Sequence, residues 1–155
     1  MSEGLPPVAD LLPHSGAAVL LDAVIAYSET GLSASVTISP ASAFYRPEGV
    51  PAHAGIEYMA QTCGAFSGTL ARRSGAPPRP GFLLGTRRYW AARLWFAAGE
   101  QLVVTAELVY RDRDVGVFDC LIHSGGAVVA KAQLIVAEPD DATELLRRQD
   151  AADDG

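Results

Sequence analysis

One stretch limits what this chain can become: residues 49–74, GVPAHAGIEYMAQTCGAFSGTLARRS. It is the one convincing long helix in the sequence. Ile56, Met59, Ala60, Cys63, Phe66 and Leu70 recur at helical spacing and give it an apolar face. The residues between them are unusually small: Ala54, Gly55, Gly64, Ala65, Ser67, Gly68 and Ala71. A helix lying alone on a surface has no use for glycines, each of which costs up to ~1 kcal/mol against alanine. A helix enclosed by a tightly curved sheet does, because small residues let backbones approach. Glu57 is one carboxylate among apolar neighbours at the start. Arg72 and Arg73 place cations in the last turn, Gly75 follows, and Pro77 and Pro78 stop the helix.

Strand patterns surround this helix. Residues 17–26 (AAVLLDAVIA) form an apolar run with one acid, Asp22, suited to a strand covered on both faces. Leu32, Ala34, Val36 and Ile38 alternate with Ser33, Ser35 and Thr37, the pattern of a half-buried strand. After the helix come strand-like runs at 81–90, 101–110, 115–123 and 127–137; residues 91–100 are ambiguous and 39–50 read as a loop. The linkers at 111–114 and 124–126 are short enough for hairpins, so the sheet is antiparallel. Room for one helical turn exists at 8–12, and His14-Ser15-Gly16 reads as a turn. Two strands, one helix and four strands predict an α+β domain over residues 1–137, with about six strands curled round the helix. An acidic tail, 138–155, follows, with a short helix expected at 141–149. An open sheet leaves an edge, and the expected remedy is a dimer.

Composition narrows the partners. The net charge is −6 and Lys131 is the single lysine, which argues against nucleic acid and anionic membranes. Two cysteines, Cys63 and Cys120, supply neither a disulfide framework nor metal-ligand spacing. No apolar run reaches the roughly 20 residues of a membrane span, and no basic start resembles a secretory signal, so the expected compartment is the cytoplasm.

Four segments together resemble a known family. LLPHSGAAVLLDAV and GIEYMAQTCGAF are similar to the opening and the central helix of hot-dog-fold 3-hydroxyacyl-[acyl-carrier-protein] dehydratases. GVPAHAGIEYMAQ, GFLLGTRRY and GVFDC resemble the dehydratase-like subgroup of aryl polyene biosynthesis. The resemblance runs from about Leu11 to Val136. It implies a curved sheet round the helix, an acyl carrier protein substrate, and loss of water to give a trans-2-enoyl thioester, without a metal or other cofactor. It also implies a site shared between two subunits. A histidine takes the C2 proton, a helix carboxylate assists loss of the hydroxyl, and the helix N-terminus polarises the thioester carbonyl.

Carried over by position, Glu57 is the helix carboxylate; its structural alternative is a dipole-favoured polar residue. Gly55, Ile56, Met59 and Gln61 are the expected substrate-binding positions around it. The family histidine, about fourteen residues before the glutamate, is absent, since that loop reads Ala43-Phe44-Tyr45-Arg46-Pro47. Of the three histidines, His53 precedes Glu57 by one helical turn and is the leading substitute base, ahead of His14 and His123. Arg87 and Arg88 either form a solvated strand end or contact the phosphate of a phosphopantetheine arm or the acidic carrier. Asp22 and Asp119 read as polar strand positions without a visible partner. Three functions compete: a homodimeric dehydratase with a replaced base, a histidine-lacking subunit of a heterodimeric dehydratase, and a hot-dog acyl thioesterase.

Overall fold

The computed structural model describes residues 5–13, 18–78 and 81–138. In chain order, a 3-10 turn at Val8–Leu11 precedes strands β1 (Ala23–Tyr27) and β2 (Gly31–Thr37). A two-residue strand, β3 (Val50–Pro51), and a second 3-10 turn (Ala52–Ala54) lead into helix α1 (Gly55–Arg73). Strands β4 (Phe82–Ala91), β5 (Trp95–Phe96), β6 (Gln101–Asp112), β7 (Val115–Ser124) and β8 (Ala127–Ala137) complete the described chain. Six strands form one antiparallel sheet in the order β1-β2-β6-β7-β8-β4, while β3 pairs with β5. This is the hot-dog plan. The loop at 39–50 and the ambiguous stretch at 91–100 thus meet in a small second sheet. The turn expected at 14–16 and the tail helix at 141–149 lie outside the described residues.

The sheet turns one face to α1, which touches β2, β4, β6, β7 and β8. Ala34, Val36, Leu102, Val104, Phe118, Ile122 and Leu134 line that face and are buried. Phe66 of the helix meets Phe118 of β7 edge to face, centroids 5.8 Å apart. Met59, Cys63 and Phe66 are fully buried, as their spacing predicts, but Ile56, Ala60 and Leu70 are only half-buried. The buried stripe is rotated to include Tyr58, Thr62, Ala65 and Thr69. Threonine tolerates this position because its hydroxyl bonds back along the helix: Thr62 donates to the Tyr58 carbonyl at 2.8 Å and Thr69 to the Phe66 carbonyl at 2.6 Å.

Small residues serve a partner that periodicity does not reveal. At Gly68 an added Cβ would lie 2.8 Å from both Cα and the carbonyl carbon of Leu11, in the N-terminal 3-10 turn. That turn, as well as the sheet, approaches α1 closely, over its second half. Arg72 and Asp10, 3.6 Å apart, connect the same two elements at the surface.

The strand expected at 17–26 is shorter and less covered than its sequence suggests. β1 begins at Ala23 and is an edge strand, with Ile25 and Tyr27 exposed. The reason is competition from a side chain. Gln61 Oε1 accepts the Leu20 N–H at 2.8 Å and Gln61 Nε2 donates to the Ala18 carbonyl at 2.6 Å. An amide on the helix therefore takes the hydrogen bonds a strand partner would have made. Asp22 also has a partner after all: its Oδ2 accepts the Thr37 N–H at 2.6 Å. Asp119 has one too, accepting from Gln133 Nε2 at 3.1 Å. Past β8, Glu138 is buried and accepts a 2.5 Å hydrogen bond from the Ser67 hydroxyl, so packing continues beyond residue 137.

Candidate active site at the start of the helix

The short strand β3 and its 3-10 turn deliver the chain to α1 under restraint from two sides. The Ala52 N–H donates to the Leu94 carbonyl at 2.8 Å, and the Ala52 carbonyl accepts from the Tyr89 hydroxyl. Glu57 follows in the first helical turn, exposed. It lines a cavity of about 190 Å³ with Leu12, Pro13, Gln61, Gly64 and Leu83. Its carboxylate makes no hydrogen bond or ion pair among the described residues. A carboxylate at a helix start is favoured by the dipole and by the unsatisfied N–H groups there. The arrangement offers an acid or acceptor group beside an apolar wall, with helix N–H groups nearby.

The other expected site residues divide. His53 sits exposed in the 3-10 turn and makes no hydrogen bond or ion pair with Glu57, so the two are near in sequence without being bonded. Ile56 is half-buried beside Glu57. Gln61 borders the cavity, but its amide is committed to main chain at Ala18 and Leu20. Met59 is fully buried in the core and is not among the residues lining this cavity; two positions on from Glu57, it points to the opposite side of the helix. Gly55 packs against the Tyr89 hydroxyl and Ile122. His14 lies outside the described residues. His123 is half-buried in β7, opposite Val103 and Val128.

Where a family histidine would stand, the loop holds an exposed Phe44 in left-handed backbone, φ 68°, and a tight Arg46–Gly49 bridge. Neither Ala43 nor Phe44 can accept a proton. Cys63 and Cys120 are buried, their sulfurs 3.8 Å apart, and burial followed by the Cys120 contact pushes the Cys63 thiol well up. A thiol so held is a poor nucleophile.

Arg87 and Arg88 belong to a different hollow. They line a cavity of about 570 Å³ with Asp119, Leu121, Lys131 and Gln133. Arg87 pairs across the sheet with Gln133, on the face turned away from α1. None of Arg87, Arg88 or Lys131 has a carboxylate partner among the described residues, in a chain whose net charge is −6. The single lysine was the available signal for this cluster, and the strand register was what the sequence withheld. Tyr89 was likewise missed.

A family model described as ApeP dehydratase, of the ApeP-like type, matches residues 6–147. The 3-hydroxyacyl-[acyl-carrier-protein] dehydratase FabZ of Acinetobacter baylyi is 26% identical over 144 residues, which cover 88% of this chain and 95% of that protein. A chain of the dehydratase heterocomplex ApeI:P from Xenorhabdus doucetiae is similar at TM-score 0.86 and 31% identity, over 92% of this chain and 96% of that one. A thioesterase from Staphylococcus aureus is similar at TM-score 0.60 and 17% identity, over 76% of this chain and 93% of that one, a likeness of fold alone. Among the described residues no helix is long and apolar enough to cross a membrane.

Proposed function

The chain belongs to the ApeP-like family of dehydratases, and from that premise we propose the part it plays: it supplies the acid in dehydrating 3-hydroxyacyl groups on acyl carrier protein, in aryl polyene biosynthesis, while a related subunit supplies the base. The observation that carries this reading is Glu57, unpartnered at a cavity, in a chain whose loop at 43–47 has no imidazole. In the reaction the C2 proton passes to the partner's base. The C3 hydroxyl leaves as water with the proton of the Glu57 carboxylic acid, and the C2=C3 bond forms. Charge building on the thioester oxygen is held by N–H groups at the start of α1.

The open edge supports a second chain. β4 carries exposed Leu83, Leu84 and Trp90, and such an edge is a template for pairing. The similar heterocomplex from Xenorhabdus doucetiae favours an unlike partner over a second copy. Arg87, Arg88 and Lys131 receive the acidic carrier or the phosphate of its arm. Ile56 flanks the acyl chain beside Glu57. An acyl carrier protein substrate puts the work in the cytoplasm.

Glu57→Gln tests the assignment, because glutamine keeps the shape and cannot give up an acidic proton. In the two-chain enzyme the dehydration rate is expected to fall ~10²–10⁴-fold. Full rate in this variant would make Glu57 structural and end the proposal.

A further inference from the structure

Tyr89 joins the open edge of the sheet to the start of the helix. It lies in β4, half-buried against the core. Its hydroxyl donates to the Ala52 carbonyl, which also accepts the Gly55 N–H. The hydroxyl presses so closely on α1 that a Cβ at Gly55 would lie 2.5 Å from its oxygen. Burial pushes this hydroxyl up to about 12, so it remains a donor throughout the neutral range.

The backbone of β4 is shaped to make this contact. Arg87 is opposite Gln133 and Trp90 opposite Lys131, so β4 spends one residue more than β8 over this interval. Arg88 takes left-handed backbone there, φ 54°, which a long side chain seldom adopts. Strict alternation from Arg87 would put Tyr89 on the outer face. The extra residue reverses the parity, so Trp90 regains the outer face beside Lys131 and Tyr89 turns inward. A strained arginine, a glycine with no room for alanine and a satisfied hydroxyl thus converge on one contact. Ordinary packing would need only the ring.

We propose that Tyr89 is a positioning residue for dehydration: its hydroxyl fixes the 3-10 turn and first turn of α1 to the edge strand, so that a chain added along β4 sets where Glu57 and the helix N–H groups stand. This rests on the reading of the reaction given above. A displacement near 1 Å in such a site is enough to lower a rate by as much as ~10²-fold.

Tyr89→Phe keeps the ring and removes the donor. In the two-chain enzyme kcat is expected to fall about ten-fold or more while KM stays within about twofold. In this chain alone, amide hydrogen exchange at residues 53–58 is expected to quicken about ten-fold, with the middle of α1 unchanged. Gly55→Ala, which crowds the hydroxyl, is expected to lower kcat as well, and adding Tyr89→Phe is expected to restore part of it, since the crowding oxygen is gone. Unchanged kcat in Tyr89→Phe would overturn the proposal, as would equal damage from Gly55→Ala in both backgrounds. Quickened exchange in a chain whose wild-type assembly never dehydrates would overturn the reading of the reaction and leave the Tyr89 link supported.

Discussion

Gly68→Ala is a substitution that general helix preference and this structure judge oppositely. Inside a helix, glycine to alanine stabilises by about 0.8–1 kcal/mol when nothing else changes. Here the new methyl would stand 2.8 Å from two backbone carbons of Leu11, and closer still to its carbonyl oxygen. Backbone cannot rotate aside as a side-chain tip can. Either the core is overpacked, at about 1–3 kcal/mol, or the N-terminal turn lifts and exposes the fully buried Leu11, whose burial is worth about 1.5–3 kcal/mol. Set against the propensity gain, the net loss is about 1 kcal/mol, a fall of roughly 2–4 °C in Tm for a domain of this size. Gly64→Ala is the internal control. Its methyl would meet only Leu12 Cδ2, at 3.4 Å, so propensity decides and stability holds or rises by up to about 1 kcal/mol. Thermal melts followed by circular dichroism compare the two. If Gly68→Ala matched or exceeded wild type, the N-terminal turn would not be seated on α1, and the reasoning would be refuted.

Two further outcomes are expected. The hydroxyls of Tyr58 and Tyr89 are both pushed up to about 12, Tyr58 by burial and then by the Asp22 charge, Tyr89 by burial. Above the ordinary value of 10.0 the unfolded chain sheds protons that the folded chain keeps, so stability is full below pH 10 and is lost as pH rises towards 12; urea melts across this range check it, and a flat profile would contradict it. Reversing Arg87 and Arg88 together to glutamate is expected to raise KM for carrier-bound substrate about ten-fold at low salt with kcat little changed; an unmoved KM would remove the carrier from that hollow.

What the sequence disclosed, it disclosed through local pattern. Alternation from Leu32 to Ile38 became β2 with its buried and open faces in the expected order. The small-residue helix lay inside the sheet, and Glu57 lay in its first turn. The misreadings share a cause, namely contacts between distant residues. Residues 17–22 look like strand, yet Gln61, more than forty positions on, takes the Ala18 carbonyl and the Leu20 N–H. Asp22 and Asp119 looked partnerless because Thr37 and Gln133 reach them only once the sheet is in register. Met59 is buried as its spacing foretold, and its substrate-binding role was carried over from the family's helix alone. Tyr89 was hidden for a subtler reason: simple alternation assigns it to the wrong face, and only the extra residue at Arg88 corrects the parity.

The central claim is that this chain holds the acid and another chain holds the base. It is tested by assaying dehydration of a 3-hydroxyacyl-acyl carrier protein with this chain alone, with a histidine-bearing relative, and with each of His53→Ala and Glu57→Gln in the mixture. Absence of a positioned base lowers such a rate ~10²–10⁴-fold. The expected result is weak or no turnover by the chain alone, strong turnover in the mixture, indifference to His53→Ala and loss with Glu57→Gln. Strong turnover by the chain alone that disappears in His53→Ala would contradict the claim and make His53 the base.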